Sequence, residues 1–165
     1  MFLGINTVTA QGEIYDELYD SFGEIPAAMS SSEIQEYAAK TEALPKKLEV
    51  LLDDLMLEPN VLVPVGKRVN GKYIILLYLE YDATEGNPYY EFRSATFNKK
   101  TGEIYMSASH ILDVGLGGDT YYDGSYTIDG DYFIMEQLQT VNNETTSSKQ
   151  RYKFEKYMAF DEHLD

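Results

Sequence analysis

Asn70-Gly71-Lys72-Tyr73-Ile74-Ile75-Leu76-Leu77-Tyr78-Leu79-Glu80-Tyr81 is the stretch on which the fold turns. Its first two residues supply the positive-φ pair of a tight hairpin. The run Tyr73–Leu79 is apolar at every position, so both faces of that strand need cover, which places it centrally in a sheet. Upstream, Val61–Val69 reads as the first strand, with Pro64 marking it as an edge or bulged strand. Downstream, Asp82–Asn87 is a polar loop and Tyr89–Phe97 the next strand. The turn Asn98–Gly102 leads into Glu103–Leu112, and Asp113–Asp119 is glycine-rich and irregular. Tyr121–Ile128 and Asp131–Thr140 make a hairpin over Asp129-Gly130, and Val141–Ser148 is a second polar loop. Lys149–Phe160 closes the sheet, with Tyr152, Phe154, Met158 and Phe160 on one face and Arg151, Lys153 and Glu155 on the other. That alternation marks a half-solvated strand.

Helices precede the sheet. Ile14, Leu18 and Phe22 recur at i, i+4 beside Tyr15 and Tyr19, giving an amphipathic helix over Gly12–Phe22. Ser30 and Glu33 form a capping box ahead of a helix bearing Ile34, Tyr37, Ala38 and Thr41 on one face. Pro45 suits the start of a third helix, whose apolar face is Leu48, Leu51, Leu52, Leu55 and Met56, and Pro59 ends it. The expected architecture is α+β: N-terminal helices (12–58) packed on an antiparallel β-meander of about seven strands (61–160), in a single domain spanning 11–165. A half-closed β-barrel is the alternative, because Tyr73–Leu79 wants cover on two faces.

The formal net charge is −15. Residues 1–60 hold 12 acids and 3 bases, a net −9, leaving −6 for the rest. Repulsion from phosphate argues against a nucleic-acid partner, which would be held by Lys and Arg. With no cysteine, neither a disulfide nor a thiolate centre forms. Val8-Thr9-Ala10 has small-residue spacing for signal-peptidase cleavage before Gln11, and Phe2–Ile5 is apolar. Residues 1–10 therefore read as a truncated signal-peptide remnant, placing the domain in the periplasm or outside the cell. If Met1 is the native start, the protein is cytoplasmic. No apolar run reaches the length of a transmembrane helix.

Thr96-Phe97-Asn98-Lys99-Lys100-Thr101-Gly102-Glu103-Ile104 and Ile128-Asp129-Gly130-Asp131-Tyr132-Phe133-Ile134 resemble the turns of small exported bacterial β-rich domains of unknown function. The resemblance spans about 40 residues. It implies an extracytoplasmic β-rich domain and carries no site residue.

No catalytic constellation emerges. His110 is a candidate base or metal ligand, His163 sits in the tail, and Ser107 and Ser109 lack a nucleophile elbow. Glu80, Glu91, Glu103 and Glu136 lie on strands but cannot be paired into a glycosidase couple without the sheet order. Asp113, Asp119 and Asp123 among glycines are candidate calcium ligands, and equally ordinary turn formers. The tyrosines carry the remaining signal. Tyr89, Tyr90, Tyr121, Tyr122 and Tyr126 crowd the middle of the sheet, and tyrosine favours recognition surfaces. The expected function is a non-enzymatic extracytoplasmic module for a protein or glycan ligand. The alternative is a cytoplasmic acidic inhibitor of the immunity type that masks a basic site.

Overall fold

The computed structural model describes residues 6–52, 60–84 and 88–164, with side chains given for all of these except 6–11 and 106–109. The elements in order are α1 (Asn6–Asp20), β1 (Ala28–Met29), α2 (Ser31–Lys40), α3 (Lys46–Glu49), β2 (Asn60–Asn70), β3 (Tyr73–Asp82), β4 (Tyr90–Asn98), β5 (Ile104–Gly117), β6 (Thr120–Asp129), β7 (Tyr132–Val141), β8 (Glu144–Phe154) and β9 (Met158–His163). The class is α+β, and β2 to β9 pair antiparallel in sequence order, with β1 added alongside β6. This is a meander, as the turn signals require. The described residues contain nine strands rather than about seven, and their sheet does not close into a barrel.

The strand run splits at β5. Its residues up to Val114 pair with β4, while Gly115–Gly117 pair with β6. Gly115 stands at the switch with φ +106°, a conformation natural to glycine. The chain thus forms two half-sheets sharing β5, with one apolar interior between them. That interior holds Val63, Ile75, Leu77, Leu79, Phe92, Leu112, Tyr126, Phe133, Met135 and Phe154, with Ile34 and Ala38 of α2. Phe92 sits 5.3 Å from Tyr126 and 5.8 Å from Phe133, ring to ring. A second cluster lies on the outer side of the first half-sheet. There Leu18, Tyr19 and Phe22 of the α1 region, with Leu44, Leu48 and Leu52, pack on Leu62, Ile74, Leu76, Tyr78, Ala95 and Phe97. Strand β3 therefore alternates between two cores, as its unbroken apolar run demanded.

Pro64 behaves as read. β2 is an edge strand, and its register with β3 shifts between Pro64 and Gly66. Its outer edge is covered by Gly23–Ile25, with the Lys67 amide donating to the Gly23 carbonyl at 2.9 Å. At its far end Arg68 donates to the Gly130 carbonyl at 2.8 Å and lies over the Phe154 ring, and Asn70 donates to the Glu155 carbonyl at 2.6 Å. These contacts tie β2 to the β6–β7 and β8–β9 turns and shut one end of the interior.

Local signals hold well in the helices. Ser30 and Glu33 form both halves of the capping box, and Ile34 and Ala38 are buried. Leu18 is buried on the predicted face of α1, and Phe22 is buried too, although the helix ends at Asp20, short of the expected Phe22. That helix starts at Asn6, so residues 6–10 of the expected leader are helical, while residues 1–5 fall outside the described residues. The third helix is short, four residues behind Pro45. Leu55, Met56 and Pro59 lie outside the described residues.

Three expectations about the sheet are corrected. The loops between β2 and β3 and between β6 and β7 are Gly71-Lys72 and Gly130-Asp131, with positive φ at the glycine alone, the II′ pattern. The stretch Val141–Ser148 is not a loop. Asn142 and Asn143, at φ 50° and 67°, make a two-residue turn of the I′ pattern, and β8 begins at Glu144. Lys149–Phe160 is not one strand either, since the chain turns at Glu155–Tyr157. Its apolar face survives because Tyr152 pairs with Phe160 and Phe154 with Met158 across β8–β9.

Candidate functional site

The polar centre of the molecule sits where β5 leaves the first half-sheet. His110 and Asp113 are three residues apart on a strand, and simple alternation would point them to opposite faces. The register corrects this: Arg93 lies opposite His110 and Phe92 opposite Leu112, so Ile111 is an inserted residue. Ile111 and Leu112 are both buried, the mark of a β-bulge. Parity flips across it, and His110 Nε2 comes to 2.6 Å from Asp113 Oδ1.

Asp113 is 7% exposed and gathers three elements. The Tyr89 hydroxyl, just ahead of β4, donates to Oδ1 at 2.5 Å. The Asp113 amide donates to Gln137 Oε1 of β7 at 3.1 Å, and Gln137 Nε2 lies 3.5 Å from Oδ2. Two glycines make room. A Cβ on Gly124 would fall 2.4 Å from the Asp113 carbonyl oxygen. A Cβ on Gly117 would meet the rings of Tyr89 at 3.1 Å and Tyr122 at 3.3 Å, and those two rings lie 5.6 Å apart.

The charges follow from this geometry. Burial pushes the Asp113 carboxyl up, but hydrogen bonds from His110 and Tyr89, the His110 charge and Gln137 together hold it below the usual carboxylate value. The bond to Asp113 holds the His110 imidazolium above its ordinary value; burial opposes this, the Asp113 and Glu91 charges reinforce it and Arg93 subtracts. Burial, then Asp113, pushes the Tyr89 hydroxyl far up, so it stays a donor. Alongside, Arg93 lies 2.9 Å from Glu80 and pairs with Glu91, and Asn60 donates to Glu80 at 2.8 Å. A cleft of about 250 Å³ runs here past Asn60, Glu80, Asp82, Tyr89, Glu91 and Gly117. His110 is oriented by a carboxylate as a general base would be. Among the described residues its Nδ1 has no hydrogen-bond partner and no nucleophile is paired with it.

The expected site residues sort as follows. Tyr126 and Tyr90 are core residues, 2% and 7% exposed, so neither belongs to a recognition surface. Tyr89 and Tyr122 are half-buried together beside Asp113. Tyr121 is 47% exposed on the outer face. Asp113 is committed to its three partners, Asp119 lies in the β5–β6 turn, and Asp123 is exposed on β6. The described residues bring no three His, Asp or Glu side chains together as a metal would need.

Sequence reading missed an apolar trio. Leu116 pairs with Tyr121 across β5–β6, and Leu138 pairs with Asp123 across β6–β7. Directly opposed residues share a face, so Leu116, Tyr121 and Leu138 stand together, 46%, 47% and 44% exposed. The signal was present as Leu116 and Leu138 at outward positions, but Leu116 lay in a segment read as a loop. No family model matches the chain, and neither a characterised protein nor a solved structure is significantly similar to it.

Proposed function

We propose that the protein is a non-enzymatic binding module that recognises a protein partner through the Leu116–Tyr121–Leu138 face. The carrying observation is three large apolar side chains, each nearly half exposed, on neighbouring strands at one end of the sheet. An exposed apolar cluster with a polar rim suits association. Asp119 and Asp123 border it, so the matching surface on the partner is apolar with a basic rim. The proposed place of work is outside the cytoplasm, on the Val8-Thr9-Ala10 spacing. The reading requires no cofactor.

The test is capture from a native extract by the wild type, by Tyr121→Ala and by Tyr122→Phe, with far-UV circular dichroism verifying the fold. A tyrosine at the centre of an interface costs about 2 kcal/mol or more when truncated. Tyr121→Ala should therefore release a partner that Tyr122→Phe retains. Retention by both variants removes this face from consideration, and a bound oligosaccharide in place of a protein shifts the ligand to glycan.

A second reading has its own observation. Glu13, Asp16, Glu17 and Asp20 form an exposed acidic stripe along α1, at i, i+3, i+4 and i+7. Among the described residues, only Glu17 of the four is in an ion pair, with Lys47. Such a stripe suits an inhibitor that masks a basic site in the cytoplasm. Binding would then fall steeply with salt and survive Tyr121→Ala.

A further inference from the structure

We propose that the His110–Asp113 pair, clamped by Tyr89 and Gln137, is a proton-operated latch that sets how firmly the two half-sheets are joined. The junction needs one. β5 and β6 share three residue pairs, Gly115–Tyr122 to Gly117–Thr120, whereas β6–β7 and β7–β8 share ten each. Glycines at 115 and 117 leave Leu116 as the one β5 side chain in that short ladder. Asp113 supplies the missing connection. Its amide is satisfied by the Gln137 side chain of the second half-sheet, and its carboxylate holds Tyr89 and His110 of the first.

The buried carboxylate is matched by the His110 charge, so the latch depends on the proton. Among the described residues, the other charged groups facing this pair are Glu91 and Arg93 on β4, and Glu80 on β3 behind Arg93. Arg93 is engaged by both glutamates, which leaves His110 as the cation next to Asp113. The imidazolium is favoured in the folded state, so its contribution is complete below the free imidazole value of about 6.5. It is lost as pH rises through the higher folded value. The carboxylate is favoured as well, so its contribution is complete above the free value of about 3.9 and lost as pH falls through the lower folded one. The latch holds most firmly in mildly acidic solution and slackens on the alkaline side. It lies in the free protein, whatever partner the outer face takes.

The experiment combines an NMR titration of the His110 ring, assigned with His110→Gln, with amide hydrogen exchange on the free full chain. His110 should titrate above the free value. Protection at Gly115–Gly117 and Tyr122–Gly124 should fall over the same range, by about tenfold for each pH unit of elevation, while Leu76 and Phe92 in the first half-sheet hold steady. Asp113→Asn should bring the titration back to the free value. Should that variant not fold, the wild-type titration and exchange decide alone. A His110 that titrates at or below the free value overturns the latch, as does a junction whose protection ignores that titration.

Discussion

The two half-sheets are made of similar strands and are covered differently. In the first, β3 sends Ile74, Leu76 and Tyr78 to the helices and Ile75, Leu77 and Leu79 to the interior, so nothing from 74 to 79 faces solvent. In the second, β7 sends Phe133 and Met135 inward, while Glu136 and Leu138 face out, uncovered. The helices thus determine which half is scaffold and which half has a face to spare. Leu116, Tyr121 and Leu138 lie in the uncovered half, next to the latch at Asp113.

The contrast can be broken by mutation. Phe92→Ala removes the ring on which both halves pack and should cost about 3–5 kcal/mol in urea unfolding. A cost under about 1 kcal/mol would mean the halves do not share one interior. Gly124→Ala pushes a methyl group onto the Asp113 carbonyl and should cost about 1–3 kcal/mol. Its loss should appear as fast exchange at the β5–β6 junction. Ser30→Ala removes the cap of α2, which roofs the interior, and should lower stability by about 1 kcal/mol. Leu138→Ala in the uncovered half should change stability by less than about 0.5 kcal/mol. A larger loss would show that something in the chain covers that face.

Much of the scaffold was legible because its signals are local. Ser30 and Glu33 meet within one turn of helix, so the capping box needs no tertiary help. Tyr73–Leu79 announces burial on two faces whatever covers them, and Pro64 cannot sit in a regular central ladder. The second half was harder. Glu144–Ser148 is polar on both faces and reads as a loop, yet it is a strand because its backbone pairs with β7. Glu155–Tyr157 contains no Gly, Pro, Asn or Asp, so the turn there gave no warning. Asp113–Gly117 has the composition of a turn but is drawn into β5 by its pairing with β4 and β6.

The chain by itself determined an antiparallel meander with helices ahead of it, a doubly covered β3, and an acidic surface with no thiol chemistry. Hydrophobic period, turn residues and net charge are properties of neighbours along the chain. Tertiary structure alone decided that β5 changes partner at Gly115, and that His110 and Asp113 meet. Their meeting depends on one inserted residue, Ile111, which reverses the parity of every side chain after it. A bulge arises from the fit between two strands, and neither strand's sequence contains that fit.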